Sequence, residues 1–325
     1  MLDVFLTVDV EVWCEGWKDI DTQFPNAFKR YVYGPTARGN YGLPYQLQQL
    51  RENGLGAVFF VEPLFATRFG LEPLAEILGV LGEGGKGGKD HEIQLHLHTE
   101  WVDESNEPLL DNVTVKRQFL RYFSLQEQTV LIREGMKLIE AAGGCGVNAF
   151  RAGGFGFDKN TLRALEANGI AFDSSYNASM LGPDSGVSPE IPLVEPLQCD
   201  GVYEYPMTVF GCGMRSLRHV QLTACSYQEI EGLLWQALES ERHAFVILSH
   251  NFELLNGAMD RPDEVVVKRF RKLCAFLDRH RDCFRVRGFH DLAPASVPLQ
   301  PAPLTSPIWK TGFRMLEQGL RRGVG

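Results

Sequence analysis

Short apolar runs alternate along the chain with longer segments in which apolar residues recur every three or four positions. The first pattern is typical of buried strands and the second of helices. Their alternation predicts repeated β/α units around a mostly parallel sheet that is covered on both faces. The predicted strands lie near 2–11, 56–62, 92–98, 147–151, 169–173, 203–210, 244–250 and 284–287. The predicted helices lie near 43–53, 63–81, 115–142, 159–168, 226–241 and 263–280.

The number of predicted units favours an α/β barrel of about seven or eight units over a small open sheet. Three irregular stretches interrupt the pattern, at 14–42, 102–114 and 176–202. Long irregular loops in a compact domain are usually functional or mobile, so these stretches are candidates for functional loops.

The chain is predicted to have one main domain and a short C-terminal extension. Residues 1–292 contain all the predicted β/α units and form the barrel domain. Residues 293–325 begin with a proline-rich linker and end in a short basic amphipathic segment around Trp309. This segment is predicted either to pack on the barrel as a helix or to contact a membrane surface or a partner.

Composition narrows the classes of function. Acidic residues outnumber basic ones by 41 to 32, giving a net charge of −9, which argues against a nucleic-acid-binding surface. No apolar run is long enough to span a membrane, and the first residues lack the features of a signal peptide. The seven cysteines are scattered without a CxxC pair, as expected of reduced thiols, so we expect a cytoplasmic protein of undetermined oligomeric state.

The first predicted strand carries two carboxylates on one face. Alternation places Leu6, Val8 and Val10 on one side and Thr7, Asp9 and Glu11 on the other. Two carboxylates this close repel each other in a buried site unless a cation or a shared proton relieves them. The alternative is an exposed strand face at a sheet edge, but a strand in a β/α barrel is covered and open only at its carboxyl end.

The predicted strand at 92–98 carries two imidazoles on one face. His96 and His98 point the same way, about 6.6 Å apart along the strand, and Glu100 follows just past its end. Imidazoles together with a carboxylate are ligands for zinc and other divalent transition metals. This group predicts a metal or catalytic site.

Two further strands end in polar residues for which a catalytic role and a structural role are equally favoured. Arg151 ends an apolar strand and is followed by glycines, and its guanidinium is suited to orienting a carboxylate. His250 ends the apolar run that starts at Ala244. An ion pair or a polar strand end would account for either residue without a catalytic role.

Together these residues resemble the motifs of the polysaccharide deacetylase family, also called the NodB-homology or carbohydrate esterase family 4 group. The motifs are Asp9 in Thr-Val-Asp-Val-Glu, His96 with its neighbours, Arg151, Asp173 in Phe-Asp-Ser-Ser-Tyr, and His250 in Leu-Ser-His. They occur in the family's order and cover about residues 1–290. The resemblance implies a distorted (β/α)7 barrel. It also implies a metal-dependent hydrolase that removes an N-acetyl group from an amino-sugar-containing polysaccharide or its precursor.

The resemblance also implies roles for individual residues. Asp9 matches the family's catalytic base, and Arg151 matches the residue that tethers this base. His250 matches the general acid that protonates the leaving amine. Asp173 matches a supporting carboxylate that orients this histidine.

The implied metal site departs from the usual motif. A second carboxylate directly follows the base in most members, whereas here that position is Val10 and Glu11 resembles a spaced variant. The usual second motif has two histidines four residues apart, but here Glu100 occupies that distance from His96. We favour Glu11, His96 and His98 as ligands over a set that uses Glu100. The expected cofactor is a divalent metal, zinc foremost, with cobalt, nickel, iron and manganese as alternatives.

The expected partner is a carbohydrate or a small amide. Aromatic side chains in the loops suit sugar faces but are equally suited to packing the loops; they are Trp13, Trp17, Tyr31, Tyr33, Tyr41, Tyr176 and Tyr203. Two alternatives stay open at this stage. One is an amidohydrolase acting on a non-sugar C–N bond, as in allantoin- or imide-cleaving proteins. The other is a catalytically silent carbohydrate-binding protein that kept the fold.

Overall fold

A computed structural model describes most of the chain. The described residues are 1–84, 91–111, 113, 115–180, 186, 191–213 and 217–323. Parts of the predicted irregular stretches 102–114 and 176–202 lie outside them.

A curled sheet of nine strands forms the centre of the described structure. Its strands are β1 (Leu2–Val10), β4 (Val58–Val61), β5 (Glu92–Leu97), β6 (Ala149–Ala152), β7 (Phe172–Asp173), β8 (Leu197–Cys199), β9 (Val202–Glu204), β12 (Ala244–His250) and β13 (Phe284–Val286). The strand order is β12-β1-β4-β5-β6-β7-β9-β8, and β13 also pairs with β1. The pairings are parallel except that of β8 with β9. The structure therefore confirms the predicted α/β class and the distorted barrel.

The free edge of β12 is partly covered by a neighbouring segment. Leu248 exchanges backbone hydrogen bonds with Val220 and Leu222, at 3.0 Å each. This segment follows β11 (Leu217–His219), which belongs to a small separate sheet with β10 (Val209–Gly211) and β14 (Leu304–Thr305). A two-stranded ribbon of β2 (Pro35–Thr36) and β3 (Gly39–Asn40) completes the described strands.

Helices follow most strands of the barrel, as the sequence predicts. They are α1 (Ile20–Phe28), α2 (Leu43–Glu52), α3 (Ala66–Phe69), α4 (Glu72–Gly84), α5 (Leu125–Ala141), α6 (Lys159–Ala167), α7 (Tyr227–Glu239) and α8 (Glu264–Arg279). Side-chain capping boxes begin α5 at Ser124, α6 at Asp158 and α7 at Ser226, which satisfies backbone N–H groups that have no partner inside the helix.

Several predicted boundaries are wrong for local reasons. The predicted helix 63–81 is two helices, because Gly70 takes a positive φ of 82° and ends α3. The predicted strand 203–210 is two strands, β9 and β10, which belong to different sheets. The stretch 14–42 contains α1 and a π-helical turn at Lys29–Tyr33 rather than only irregular loop.

The C-terminal region ends in helix α9 (Ile308–Gly323). Polar contacts attach α9 to the barrel helices: the Thr311 hydroxyl donates to Glu229 at 3.3 Å, and Arg269 contacts Glu317 at 2.5 Å. The division of the chain near residue 292 stays a prediction. No helix in the described ranges combines the length and apolarity needed to cross a bilayer.

Candidate metal centre and active site

The side chains singled out by the sequence meet at the carboxyl ends of neighbouring strands. Asp9 on β1 lies in register with His250 on β12, and His96 on β5 lies in register with Arg151 on β6. Because all four strands run parallel, their carboxyl ends face the same side of the sheet. The fold itself therefore assembles this site.

Glu11, His96 and His98 form a compact group of possible metal ligands. Nε2 of His96 lies 3.1 Å from Oε1 of Glu11, and Nε2 of His98 lies 2.9 Å from the same oxygen. One ligand atom from each side chain lies within 4.8 Å of the others. A second group, Asp9, Glu11 and His250, meets the same limit, so Glu11 is common to both.

The orientation of the two imidazoles fits a bound cation. Nδ1 of His96 lies 2.8 Å from the carbonyl oxygen of Arg151, so this nitrogen carries the hydrogen. In the tautomer with its single hydrogen on Nδ1, His96 presents the lone pair of Nε2 to the carboxylate of Glu11. His98 also directs Nε2 at Glu11, and its Nδ1 lies 3.4 Å from a carboxylate oxygen of Glu100. A lone pair that faces a carboxylate repels it, and a cation between them turns this repulsion into ligation.

Glu100 lies on the side of the His98 ring away from Glu11. Its carboxylate faces Nδ1, whereas Glu11 faces Nε2. Among the described residues, Glu11, His96 and His98 form a group whose ligand atoms lie within 4.8 Å of one another, and Glu100 belongs to no such group. This proximity favours the set of Glu11, His96 and His98 over one in which Glu100 replaces His98.

The electrostatics of the group also favour a positive charge beside Glu11. Burial raises the pKa of the Glu11 carboxyl, but the imidazoles of His98 and His96 outweigh burial and hold this pKa well below its usual range. Burial lowers the pKa of His98, but the carboxylates of Glu11 and Glu100 hold it well above its usual value. Each direction comes from partners of opposite charge: the imidazoles favour the ionised carboxylate of Glu11, and the carboxylates favour a protonated His98.

Asp9 is held by a buried arginine, as the resemblance implies. Nη1 of Arg151 lies 2.6 Å from Oδ1 of Asp9 and 3.0 Å from the hydroxyl of Thr7. Nε and Nη2 of Arg151 donate to the carbonyl and the hydroxyl of Ser174, each at 3.1 Å. The guanidinium lies over the ring of Phe60. These contacts fix the position of Asp9.

The partner of His250 differs from the one predicted. Nδ1 of His250 lies 2.8 Å from Oε1 of Glu253, and its Nε2 lies 4.0 Å from Oε1 of Glu11. The chain turns directly after β12, with a backbone hydrogen bond from Glu253 to the carbonyl of His250, so the carboxylate returns to the ring. Burial lowers the pKa of His250, but Glu253 and Glu11 raise it to about 9.

Asp173 is placed elsewhere, which corrects its expected role as the carboxylate that orients His250. Asp173 lies in register with Glu204 on β9, and both carboxyl groups are buried. The Ser175 hydroxyl donates to Asp173, at 2.6 Å. Burial raises the pKa of Asp173 to about 6 and, with the help of Asp173, that of Glu204 well above its usual value.

Sequence reasoning missed three polar residues that support the site. The carboxylate of Glu62 accepts the backbone N–H groups of Leu64 and His98. The amide of Asn251 donates to the carbonyl of Glu11 at 3.0 Å and accepts from its N–H at 3.1 Å. Glu253 is the third. The sequence contains a signal for two of them: Glu62 directly follows an apolar strand, and Asn251 directly follows His250 at the end of another.

Aromatic rings line one side of the group. The Trp13 ring stands edge-on to His98 at 4.6 Å, and its Nε1–H donates to Oε2 of Glu11 at 2.7 Å. Trp17 contacts Trp13, and Phe252 contacts both Tyr31 and His250. Tyr176, by contrast, is fully buried.

Comparison with known proteins finds similarity at the level of structure. No protein-family model and no curated protein sequence matches the chain. The chain is similar to the structure of a protein assigned as a polysaccharide deacetylase from Mycobacterium smegmatis. The two are 17% identical with a TM-score of 0.49, over 90% of this chain and 94% of that one. A family 4 carbohydrate esterase from Streptomyces lividans is 12% identical with a TM-score of 0.44, over 92% of this chain and 97% of that one.

A third similar structure is the larger 4-alpha-glucanotransferase from Thermococcus litoralis. It is 13% identical with a TM-score of 0.51, over 91% of this chain and 39% of that one. At this identity the similarity shows a shared fold, and the function has to be argued from the site.

Proposed function

We propose that this chain is a metal-dependent hydrolase that removes an acetyl group from the nitrogen of an amino sugar. One observation carries the proposal: a carboxylate held by arginine, a three-residue ligand group and a histidine meet at the carboxyl ends of β1, β5 and β12. Hydrolysis of an unactivated amide needs these three functions together, namely a base, an electrophile and an acid.

Each side chain has a definite part in this reaction. Glu11, His96 and His98 would hold a divalent metal, zinc foremost, whose Lewis acidity polarises the amide carbonyl and lowers the pKa of water. Asp9 accepts the proton of the attacking water as its oxygen bonds to the carbonyl carbon. Arg151 holds Asp9 in place. His250 gives a proton to the nitrogen as the C–N bond breaks, so acetate and a free amine leave.

The position of His250 fits the role of the acid. Glu253 engages Nδ1, which leaves Nε2 on the side of Glu11. Asp9 and His250 lie in register on adjacent strands beside Glu11, so the base and the acid of this reaction are two separate side chains at one site.

The choice of an amino sugar rests on the resemblance and on the aromatic side of the site. The rings of Trp13 and Phe252 contact His98 and His250, and Trp17 and Tyr31 pack against these two rings. Aromatic rings with polar tips are suited to the faces of sugar rings.

Release of acetate from a substrate panel tests the proposal. The panel contains N-acetylated oligosaccharides and N-acetylated monosaccharides, together with allantoin and cyclic imides. Each substrate is assayed with protein loaded with zinc, cobalt or manganese. We expect acetate from an N-acetylated sugar. Asp9→Asn should lower turnover by at least about a hundredfold while keeping the metal, and Asp260→Asn, an exposed residue outside the site, is the matched control.

Two outcomes would contradict the proposal. Turnover of a cyclic imide without acetate release would make the chain an amidohydrolase on non-sugar bonds. Equal acetate release by the wild type and Asp9→Asn would remove Asp9 from the role of the base.

A further inference from the structure

A chain of hydrogen bonds leads from His250 through Glu253 to a segment outside the ligand group. Oε1 of Glu253 accepts from Nδ1 of His250 and from the side-chain amide of Gln221. Oε1 of Gln221 lies 3.0 Å from Nε2 of His219. Nδ1 of His219 lies 2.9 Å from the hydroxyl oxygen of Ser179.

The carboxylate at one end sets the direction of every bond in this chain. An ionised carboxylate only accepts, so Gln221 turns its NH₂ group to Glu253 and its carbonyl oxygen to His219. His219 must then carry its hydrogen on Nε2, which leaves a lone pair on Nδ1 that faces the hydroxyl of Ser179.

The opposite orientation of the chain is unfavourable. If the Gln221 amide were flipped, its carbonyl oxygen would face the buried carboxylate of Glu253, and two acceptors would meet without a hydrogen. The Ser179 hydroxyl has one hydrogen and two acceptors within reach, Oδ1 of Asn177 at 2.7 Å and Nδ1 of His219 at 2.9 Å. The direction at His219 is therefore set by Gln221 and Glu253 and does not depend on Ser179. Burial lowers the pKa of His219, which agrees with a neutral ring that has a single hydrogen.

We propose that Gln221 and His219 are positioning residues of this site, which act through Glu253 to hold the ring of His250 with Nδ1 bonded and Nε2 directed at the substrate. This inference rests on the proposed function, since it concerns the acid of that reaction. Glu253 accepts two hydrogen bonds on one oxygen, and the bond from Gln221 fixes where that oxygen lies. A displaced carboxylate would let the imidazole rotate about its side-chain torsions.

The same chain links His250 to the segment that contains Asn177 and Ser179. Asn177 is buried, and the ring of Phe155 lies 6.2 Å from that of His219. His219 is therefore held between a hydroxyl, an amide and an aromatic ring.

Two substitutions of Gln221 distinguish its hydrogen bond to Glu253 from its hydrogen bond to His219. Gln221→Leu removes both hydrogen bonds. Gln221→Glu preserves the size and the acceptor for His219 but loses the donor for Glu253. Nitrogen-15 NMR of the histidine rings in the metal-loaded protein reports which nitrogen carries hydrogen, and it does so without any substrate.

We expect wild-type His219 to be a single neutral tautomer with hydrogen on Nε2. Gln221→Leu should perturb the ring signals of both His219 and His250, whereas Gln221→Glu should perturb His250 and leave the His219 tautomer intact. With an acetylated substrate, kcat of Gln221→Leu should fall about tenfold, as for one lost hydrogen bond to a charged group, with KM changed less than about twofold. Gln48→Leu, on the exposed side of α2, is the matched control.

The inference is overturned if His219 carries hydrogen on Nδ1, or if the His250 signals are the same in the wild type and both Gln221 variants. It is also overturned if Gln221→Leu changes KM alone. Failure to release acetate from any substrate would contradict the proposed function. The NMR signals of the histidine rings would still show whether Gln221 and His219 position His250. If Gln221→Leu does not fold, the inference is tested by the near-isosteric Gln221→Glu and by the tautomer of His219 in the wild type.

Discussion

Nη1 of Arg151 lies 2.6 Å from Oδ1 of Asp9, and both side chains are almost completely buried. A buried ion pair is costly to assemble because both charges leave water, and removing one partner leaves the other unpaired. Arg151 compensates by donating to Thr7 and Ser174 as well. The pair therefore fixes the position of the proposed base, and it also makes the stability of the fold depend on both charges.

Removing Arg151 should destabilise the fold more than removing both charges together. We expect Arg151→Met to lower the free energy of unfolding by about 3–5 kcal/mol, because it leaves a buried carboxylate without its cation. Adding Asp9→Asn to this variant should restore part of the loss. Urea unfolding of the two single variants and the double variant measures this coupling. Additive losses would show that the two charges are not coupled.

Gly153 permits the close approach of β6 to a proposed ligand. A Cβ atom at this position would lie 2.7 Å from Nδ1 of His98 and 2.7 Å from the carbonyl oxygen of Leu97. Gly153→Ala should therefore displace His98 and weaken metal binding about 10- to 100-fold. Competition with a chromophoric chelator measures this affinity. Gly79→Ala is the control, because a Cβ there meets no atom within 4 Å; equal affinity in both variants would contradict the placement of His98.

The two carboxylates near His98 should differ in their effect on the metal. Glu11 faces Nε2 and is a proposed ligand, whereas Glu100 faces Nδ1. We expect Glu11→Gln to abolish retention of the metal through dialysis. Glu100→Gln should retain it with an affinity lower by about tenfold, as for the loss of a residue that orients a ligand. The reverse order, measured by the same chelator competition, would support the ligand set that uses Glu100.

The pair of Asp173 and Glu204 should make stability depend on pH. Burial raises the pKa of Asp173 to about 6 and that of Glu204 well above its usual value, while Arg151 and Cys199 are the other titratable neighbours. The folded state therefore binds protons more tightly than the unfolded one. The stabilisation is complete below about pH 4 and is lost as the pH rises through about 6 and beyond.

Glu204→Gln should reduce this dependence, because an amide can donate to an ionised Asp173. Between pH 4 and pH 7 we expect the wild type to lose on the order of 2 kcal/mol more than Glu204→Gln. Urea unfolding at several pH values provides the comparison, and Glu241→Gln on the exposed surface is the control. Parallel pH profiles for the wild type and Glu204→Gln would show that the pair does not share a proton.

The barrel and the core of the site could be predicted because both depend on local pattern. Apolar runs marked β1, β5 and β12, and the alternation along β1 placed Asp9 and Glu11 on one face. Since parallel strands end at the same side of a sheet, residues at those ends were expected to meet. The contact of Arg151 with Asp9 followed from the family resemblance.

The partners of these residues could not be predicted, because they depend on turns and register. Glu253 reaches His250 through a tight turn after β12, and periodicity contains no information on that turn. Asp173 was assigned to His250 by resemblance, but the pairing of β7 with β9 turns it to Glu204. The bonds from Gln221 and His219 span more than thirty residues of sequence, so only the assembled fold reveals them.

The metal content of the purified protein and of His96→Ala tests the central claim most directly. Elemental analysis after brief dialysis should find about one equivalent of a divalent metal in the wild type and almost none in His96→Ala, because a set of three ligands does not survive the loss of one. His290→Ala, whose ring contacts Glu92 near the start of β5, should retain the metal. Absence of metal from the wild type, even after reconstitution with several divalent ions, would contradict the account and favour a silent carbohydrate-binding protein.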